Sequence, residues 1–352
     1  MSDLLTRRDF VGAATGMAAG AVLGGTPAPR AAAPTITVPP AGRDVVIASS
    51  NGLRAVERAG QLLAQGADPL DAGIEGVKIQ ELDPEDTSVG YGGLPNEEGV
   101  VQLDASCMHG PTRRAGAVAA LEGIKTPSEV AKYVLLYTNH ILLVGEGAKR
   151  FALSYGFKEE NLLTDKARAI WLRWRANRGA ADDWLDVPAD ADLVARPTGT
   201  INCNVVNAKG EISSVTTTSG LAWKIPGRVG DSALIGAGQY TDNDVGAAGS
   251  TGRGESNIKV CGAFLTVEFM RRGMKPTDAC LETLKRVLTT TEPRLVDEQG
   301  QPRFGLTFYA VSKNGEYGSA SFFSGNQYAV WEGDRAGLRD CAYLYERRRG
   351  GS

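Results

Sequence analysis

The sequence predicts an α+β protein in which stacked β-sheets are covered by helices on both sides. Both halves of the chain mix short apolar strand patterns with helical ones, and no internal repeat is present. The chain has 352 residues, of which 42% are hydrophobic. That length suits one large domain or two small ones, and it is enough to bury a substantial core.

In the first half, residues 45–49 have the pattern of a buried strand, and apolar residues at helical spacing predict a helix over 53–63. A proline and a capping-box pattern at 126–129 predict a helix that continues to about Tyr137. The other elements expected in this half are a helix over 69–82, short strands at 88–91, 100–105 and 141–144 (the last one buried), and helices at 147–155 and 165–177.

The second half begins after residues 179–197, an acidic stretch rich in Ala, Asp and Pro that has neither helical nor strand periodicity. We interpret it as an exposed connector. The elements expected after it are strands at 200–206 and 212–218, a glycine-rich loop at 246–254, helices at 255–271 and 276–288, and strands at 304–311, 317–323 and 327–331.

Composition excludes several classes of function. The formal net charge is −3, so nothing indicates a nucleic-acid partner. The chain has two histidines, and no His or Cys pair has zinc-site spacing, so we expect neither a metal nor a cofactor. Neither histidine lies near a nucleophile-elbow motif, which disfavours a Ser-His-Asp triad. Hydrolysis by this chain is therefore expected to proceed without histidine.

Residues 1–33 have the pattern of a twin-arginine signal peptide. Arg7 and Arg8 precede an uncharged run rich in Gly and Ala, and Ala31-Ala32-Ala33 offers a cleavage site. A membrane anchor is the alternative, but Gly and Thr make the run less apolar than a spanning helix requires. We expect export to the periplasm or the extracellular space, and no membrane association of the mature protein.

The segment 199–255 holds the residues that suit chemistry. Gly199-Thr200 stands where the connector enters an apolar strand, and Thr218 lies at the end of the next strand. Each feature has an ordinary alternative: a threonine favours strands, Arg228 and Asp231 suit a surface ion pair, and a glycine-rich stretch is usually a loop. A phosphate-binding loop at 246–254 is disfavoured because no G-K-[S/T] follows. The stretch does lead into a helix, whose N-terminus favours an anion.

Taken together, these segments resemble the glycosylasparaginase (aspartylglucosaminidase) family of N-terminal nucleophile hydrolases, from about Val45 to the C-terminal strands. The densest resemblance is in four blocks: Ser88-Val89-Gly90-Tyr91-Gly92-Gly93, Leu142-Leu143-Val144-Gly145-Glu146, Gly227-Arg228-Val229-Gly230-Asp231-Ser232 and Ala247-Ala248-Gly249-Ser250-Thr251-Gly252. The resemblance implies a four-layer αββα sandwich and cleavage of the precursor between Gly199 and Thr200. An α subunit of residues 34–199 and a β subunit of residues 200–352 would result, assembled as a heterotetramer of two α and two β subunits.

The resemblance also implies a role for each site residue. Thr200 is the expected nucleophile and Thr218 the threonine beside it. Arg228 and Asp231 are expected to bind the α-carboxylate and the α-ammonium of the substrate. The Thr251 hydroxyl and the Gly252 N–H are expected to form the oxyanion hole.

Elementary chemistry supports these roles. A free α-amino group has a pKa of about 7.7–8, so it can accept the proton of its own threonine hydroxyl without histidine. A guanidinium matches a carboxylate, and two fixed donors stabilise a tetrahedral oxyanion.

The sequence departs from the glycosylasparaginase branch at two positions. That branch has aspartate before its nucleophile, where this chain has Gly199; plant-type asparaginases and isoaspartyl peptidases have Gly-Thr there. The branch also has a tryptophan near the substrate, after its first strand, where this chain has Ser50.

The expected activity is hydrolysis of the side-chain amide of N4-(β-N-acetylglucosaminyl)-L-asparagine, a small-molecule substrate. The alternatives are an isoaspartyl peptidase or L-asparaginase on the same scaffold, and a non-catalytic small-molecule binding protein.

Overall fold

The structure is a computed structural model that describes residues 39–176 and 198–347. The expected signal peptide (1–33) and the expected connector (179–197) lie outside the described residues. No helix in the described part of the chain combines the length and the apolar character needed to cross a membrane.

The described strands are β1 (Val45–Ser49), β2 (Gln102–His109), β3 (Arg114–Glu122), β4 (Leu142–Val144), β5 (Thr198–Val206), β6 (Ile212–Leu221), β7 (Gln239–Asp242), β8 (Gly246–Gly252), β9 (Leu306–Ser312), β10 (Tyr317–Phe323), β11 (Gln327–Glu332), β12 (Arg335–Asp340) and β13 (Ala342–Tyr345). The described α-helices are α1 (Leu53–Ala64), α2 (Pro69–Glu81), α3 (Pro127–Tyr137), α4 (Gly145–Ser154), α5 (Asp165–Ala176), α6 (Gly254–Ile258), α7 (Gly262–Arg271) and α8 (Pro276–Thr289).

The strands form two sheets. The larger has the order β12-β11-β1-β5-β6-β2-β3-β4, and the smaller has the order β13-β10-β9-β8-β7. In the larger sheet the central strands β1, β5, β6 and β2 pair antiparallel with one another. β5 therefore lies in the middle of the sheet, with a strand on each side.

Three apolar clusters define the layers. One packs α1, α2, α3 and α4 on the outer face of the larger sheet, through buried residues such as Val56, Ile74 and Val134. A second joins the inner faces of the two sheets, with Ile47 and Val206 of the larger sheet and Val311 of the smaller. The third packs α7 and α8 on the outer face of the smaller sheet. The order is helix, sheet, sheet, helix, which confirms the expected αββα sandwich.

Four local predictions were wrong. Residues 246–252, expected to be a loop, form β8 because small side chains allow it to lie flat against the other sheet. The helix expected over 255–271 is broken at Cys261, where φ is +49°. Residues 88–91 form a turn-rich loop, and β4 is an exposed edge strand although we expected it to be buried.

The start of α3 also differs in detail from the expected capping box. Thr126 is the N-cap residue, but its side chain makes no capping hydrogen bond. Instead, the buried carboxylate of Glu81 accepts hydrogen bonds from the backbone N–H of Ser128, at 3.0 Å, and from its hydroxyl, at 2.8 Å. A residue 47 positions earlier in the chain therefore satisfies the helix N-terminus, which a local pattern could not indicate.

Candidate active site

The expected nucleophile, Thr200, lies near the start of β5 and is paired in register with Thr218 of β6. Side chains directly opposite each other in an antiparallel pair lie on the same face. The pairing is irregular just before Thr200: Gly199 pairs with Gly220, which leaves Ser219 as an extra residue on β6. A bulge of this kind redirects neighbouring side chains. The Gly199–Thr200 peptide bond thus lies opposite a β-bulge.

The Thr218 hydroxyl is the centre of the hydrogen bonds at this bulge. It accepts a hydrogen bond from Thr200 Oγ1 at 3.1 Å and another from the backbone N–H of Gly220 at 2.8 Å. It donates its own proton to the carbonyl oxygen of Gly199. The structure therefore brings together the two threonines and the peptide bond that the sequence singled out.

Gly199 has no room for a side chain. A Cβ at this position would lie 1.6 Å from the Cβ of Ser88 and 2.1 Å from its Oγ. Ser88 is fixed in turn, because its N–H and hydroxyl both donate to the carboxylate of Asp86 and its carbonyl accepts from Ser219. The close packing of Ser88 explains why glycine precedes Thr200 in this chain.

Short polar side chains surround the other side of Thr200. The Nδ2 atom of Asn51 donates to the carbonyl oxygen of Thr200 at 3.3 Å, and Asn51 is held by the hydroxyl of Ser49 at 2.7 Å. Ser50 begins a 3₁₀ turn, Ser50–Gly52, directly after β1, and it is exposed. The position that we aligned with a tryptophan of related enzymes therefore lies on a polar, open turn beside Thr200.

Arg228 lies in the loop between β6 and β7 and is bound to an acidic residue that the sequence did not single out. Its Nε and Nη2 donate to Oε1 of Glu255, at 2.9 and 2.6 Å. Its Nη1 is 3.6 Å from where a Cβ on Gly220 would lie, which places it beside the bulge. Burial raises the pKa of Glu255, but the guanidinium outweighs burial and holds that pKa below its usual value.

Asp231 is almost fully buried, with 5% of its surface exposed. Its Oδ2 atom accepts hydrogen bonds from Ser250 Oγ at 2.8 Å and from Asn257 Nδ2 at 2.7 Å. Burial raises the pKa of Asp231, while these two donors and the nearby Arg228 act in the opposite direction. The surface ion pair between Arg228 and Asp231, the ordinary alternative, is not formed; each residue is held by a different partner.

Thr251 and Gly252 end β8 in the smaller sheet. The Thr251 hydroxyl is 2.8 Å from the Tyr309 hydroxyl, and Gly252 has a φ of +121° that favours glycine. β8 crosses β5 closely, since a Cβ on Gly249 would lie 2.0 Å from Asn202 Nδ2. The two strands run in opposite directions there, because Val206 of β5 shares an apolar cluster with Ala247 of β8. Thr251 and Thr200 therefore lie on the same side of the crossing, each two residues from it. The expected oxyanion donors and the nucleophile therefore lie at one meeting point of the two sheets.

Sequence reasoning did not identify several residues that hold this site. They include Glu255, Ser250 and Asn257 around the charged residues, Tyr309 beside Thr251, and Ser88 against Gly199. Glu255 lies in the first turn of α6, directly after the glycine-rich stretch, and this is the one local signal that marks it. The others become visible only when the two sheets are packed together.

Comparison with known proteins identifies the family of this chain. A family described as asparaginase matches residues 40–328. The chain belongs to this asparaginase family. It is 40% identical to an N(4)-(β-N-acetylglucosaminyl)-L-asparaginase of Elizabethkingia miricola over 82% of this chain and 81% of that protein. It is 34% identical to the enzyme of the same name from Mus musculus, over 76% of this chain and 80% of the mouse protein.

The family assignment confirms the resemblance to glycosylasparaginases and the N-terminal nucleophile hydrolase fold. It also decides between two of the expected classes. A member of this asparaginase family is an amidohydrolase that acts on an asparagine-derived small molecule, so the non-catalytic binding protein is disfavoured.

Proposed function

We infer that this protein is a glycosylasparaginase, which hydrolyses the side-chain amide of N4-(β-N-acetylglucosaminyl)-L-asparagine to aspartate and a glycosylamine. The observation that carries this inference is the hydroxyl pair of Thr200 and Thr218 at the bulge, in a chain related to enzymes of that name. The roles of the individual residues, given below, are part of the proposal.

Thr200 is proposed as the nucleophile, with its own α-amino group as the base after cleavage. The amine accepts the hydroxyl proton as Oγ1 attacks the side-chain carbonyl carbon. The amide C–N bond then breaks, the proton passes to the departing nitrogen, and a β-aspartyl ester remains on Thr200. Water hydrolyses this ester, which releases aspartate and restores the hydroxyl. Thr218, within 3.1 Å, orients the hydroxyl in each step.

Arg228 and Asp231 are proposed to bind the amino-acid head of the substrate. Arg228 keeps part of its guanidinium free of the Glu255 contact, since Nη1 faces Gly220 rather than that carboxylate. Asp231 uses Oδ2 for Ser250 and Asn257. The substrate α-carboxylate would pair with the Arg228 guanidinium, and its α-ammonium would pair with the Asp231 carboxylate.

The Thr251 hydroxyl and the Gly252 N–H are proposed to stabilise the oxyanion of the tetrahedral intermediate. Donors fixed before the reaction act more strongly than mobile ones, because they need no reorganisation as charge develops. Tyr309 supplies that fixation through its hydrogen bond to Thr251, and Tyr309 itself is buried.

Self-cleavage between Gly199 and Thr200 is proposed to generate the α subunit (34–199) and the β subunit (200–352). In the uncleaved chain the Thr218 hydroxyl bonds to the Gly199 carbonyl and so polarises the carbonyl that Thr200 Oγ1 would attack. Attack forms an ester between Gly199 and Thr200 as the peptide C–N bond breaks, and the hydroxyl proton moves to the nitrogen. Water then releases the Gly199 carboxylate.

Export by the twin-arginine pathway to the periplasm or the extracellular space is proposed on the sequence alone, from Arg7 and Arg8 and the run that follows them. The protein should be found outside the cytoplasm, and an Arg7→Lys, Arg8→Lys double variant should be retained inside. Retention of the wild type inside the cell would contradict this proposal.

Assembly as a heterotetramer of two α and two β subunits is also a proposal. Large apolar side chains that are each more than half exposed lie at the end of α3 (Tyr137), just before the edge strand β4 (Ile141) and at the end of β4 (Val144). An open strand edge with such side chains is unfavourable in a monomer. Light scattering should give twice the mass of one processed chain, and Val144→Lys should halve it. A monomeric wild type would contradict the assembly.

The second candidate, an isoaspartyl peptidase or L-asparaginase, is favoured by the polar turn at Ser50. A tryptophan supplies much of the contact area in a small site, and its absence weakens discrimination between leaving groups. Fit of one apolar group is worth about 10–200-fold in selectivity. The test is kcat/KM for glycosyl-asparagine, asparagine and a β-aspartyl dipeptide, in the wild type and in Ser50→Trp.

We expect glycosyl-asparagine to be hydrolysed, with the other two substrates turned over at a comparable level in the wild type. Ser50→Trp should increase the preference for glycosyl-asparagine. If the wild type already prefers it by several orders of magnitude, Ser50 does not determine the preference. Turnover of none of the three substrates would contradict the proposed function itself.

A further inference from the structure

The peptide unit between Ser219 and Gly220 lies between the threonine pair and a buried lysine. Lys224 has only 3% of its surface exposed, which is rare for this residue type. Its Nζ atom donates to the carbonyl oxygen of Ser219 at 3.1 Å and to that of Gln102 at 2.7 Å. Lys224 thus binds the extra residue of the bulge to the start of β2.

The other end of the same peptide unit contacts the threonine pair. The Gly220 N–H donates to Thr218 Oγ1 at 2.8 Å, and Thr200 Oγ1 donates to the same oxygen at 3.1 Å. Hydrogen bonds that follow one another through a peptide unit polarise each other. A cation on the Ser219 carbonyl therefore makes the Gly220 N–H a stronger donor to Thr218.

A buried carboxylate lies beside Thr218 on β2, the strand that flanks β6 on the side away from Thr200. Asp104 of β2 is directly opposite Thr218 of β6, so Thr200, Thr218 and Asp104 lie in a row across three strands. One carboxylate oxygen of Asp104 accepts from the Ala120 N–H at 2.8 Å. The other, Oδ2, has no hydrogen-bond partner within the described residues. Such a group costs stability unless its charge is compensated nearby.

The charged groups that face Lys224 are Asp104, Glu122 and Arg228. Burial lowers the pKa of Lys224, and the nearby Arg228 lowers it further, whereas Asp104 and Glu122 oppose this and favour the ammonium form. Lys224 and Asp104 are thus buried groups of opposite charge, both held at β2 beside Thr218.

We propose that Lys224 is a positioning residue for the nucleophile, which acts through the Ser219–Gly220 peptide unit on the Thr218 hydroxyl, with Asp104 as its counter-charge. The proposal rests on the proposed function of Thr200. The ammonium strengthens the hydrogen bond that orients Thr218, and its positive charge makes the α-amino group of Thr200 easier to deprotonate. Asp104 has the opposite effect on that amino group.

A purely structural role for Lys224, as a clamp between the bulge and β2, makes a different prediction. A clamp that is removed lowers the amount of folded protein and the rate at every pH, without moving the pH at which the rate changes. A charge that is removed moves that pH. The sign of the movement identifies which charge was lost.

The experiment measures kcat/KM for glycosyl-asparagine against pH in processed wild type, Lys224→Met, Lys224→Arg and Asp104→Asn. Asparagine at 104 keeps an oxygen for the Ala120 N–H. Lys313→Met is the matched control, because Lys313 also donates to a backbone carbonyl, that of Asn243, at 2.7 Å, but lies outside the site. Rates are normalised to folded, processed protein, measured by circular dichroism and by gel.

We expect the midpoint of the acid limb to rise by about 0.5–1 pH unit in Lys224→Met and to fall by a similar amount in Asp104→Asn. Lys224→Arg and Lys313→Met should leave the midpoint in place. The proposal would be overturned if the midpoint stayed unchanged in both Lys224→Met and Asp104→Asn, or if it moved in the same direction in these two variants.

If Lys224→Met does not fold, Lys224→Gln and Asp104→Asn provide the same test, since the glutamine keeps a donor without the charge. Failure of this inference is distinct from failure of the proposed function. In the first case the wild type hydrolyses glycosyl-asparagine and only the predicted shifts are missing. In the second case the wild type does not hydrolyse any of the three substrates.

Discussion

The two halves of the site are built differently. The Thr200–Thr218 pair lies on neighbouring strands at the centre of the larger sheet, where strand register fixes both hydroxyls. Arg228 and Asp231 lie in the loop between β6 and β7, and each is held by side chains from β8 or α6: Glu255 binds Arg228, and Ser250 and Asn257 bind Asp231.

The comparison shows how reactivity and recognition are separated. The strand pair consists of uncharged hydroxyl groups, so it is complete before any substrate binds. The loop consists of charges that are already partly compensated, so a substrate must share them with internal partners. Changes to the strand pair should therefore affect cleavage and turnover, whereas changes to the loop should affect binding.

The largest expected difference between the two halves is the loss of kcat/KM, without loss of self-cleavage, in Arg228→Ala. Charge-assisted hydrogen bonds are worth about 1.5–3 kcal/mol, so kcat/KM for glycosyl-asparagine should fall by about 10–150-fold. Self-cleavage should be unchanged, because Arg228 does not contact Gly199 or Thr200. The measurement is steady-state kinetics together with a gel of the purified variant.

Arg113→Ala is the control for Arg228→Ala, since Arg113 is an exposed residue paired with Asp244. The control should behave like the wild type. Loss of self-cleavage in Arg228→Ala would show that the two halves are not separate.

A packing change on the strand side should have the next largest effect. Gly199→Ala places a methyl group 1.6 Å from the Ser88 Cβ, and overpacking of this kind typically costs about 1–3 kcal/mol. We expect a lower melting temperature and slow or absent self-cleavage. Ser88→Gly, combined with Gly199→Ala, should restore both only in part, because the Cα of residue 88 would still lie 2.5 Å from the new methyl group.

Gly147→Ala is the matched control, because no atom lies within 4 Å of a Cβ at that helical position. It should fold like the wild type. A Gly199→Ala variant that cleaves normally would mean that Ser88 does not restrict position 199.

The smallest effect is a pH dependence of stability that comes from Glu81, a buried residue next to the strand pair. Glu81 is fully buried and accepts a hydrogen bond from the hydroxyl of Thr217, the neighbour of Thr218, at 2.6 Å. Burial raises the pKa of Glu81 to about 7, with Thr217 and Ser128 opposing that effect. The folded chain therefore binds a proton more tightly than the unfolded chain, in which the pKa of glutamate is about 4.3.

The sign of the pH dependence follows from this difference. The contribution of Glu81 to stability is fully present below about pH 4 and is lost as the pH rises through about 7. Glu81→Gln should remove this slope. The test is the free energy of unfolding in urea at several pH values, in the uncleaved Thr200→Ala background. An unchanged slope in Glu81→Gln would contradict the assignment.

The sequence predicted more of the strand pair than of the loop. The sequence predicted β5 and β6, and the two threonines stand at the ends of these predicted strands, so their pairing followed once the strands were antiparallel. β8 was missed because its glycines and alanines resemble a loop. Glu255, Ser88 and Glu81 act through contacts between segments distant in sequence, and no local pattern records such contacts.

The central claim is that Thr200 becomes the N-terminal residue and then acts as the nucleophile. The most direct measurement is mass spectrometry and N-terminal sequencing of the purified protein, with Thr200→Ser and Thr200→Ala as matched variants. We predict two chains in the wild type, the second beginning at Thr200, slower cleavage in Thr200→Ser, and one inactive, uncleaved chain in Thr200→Ala. An intact wild-type chain with full activity would contradict the account.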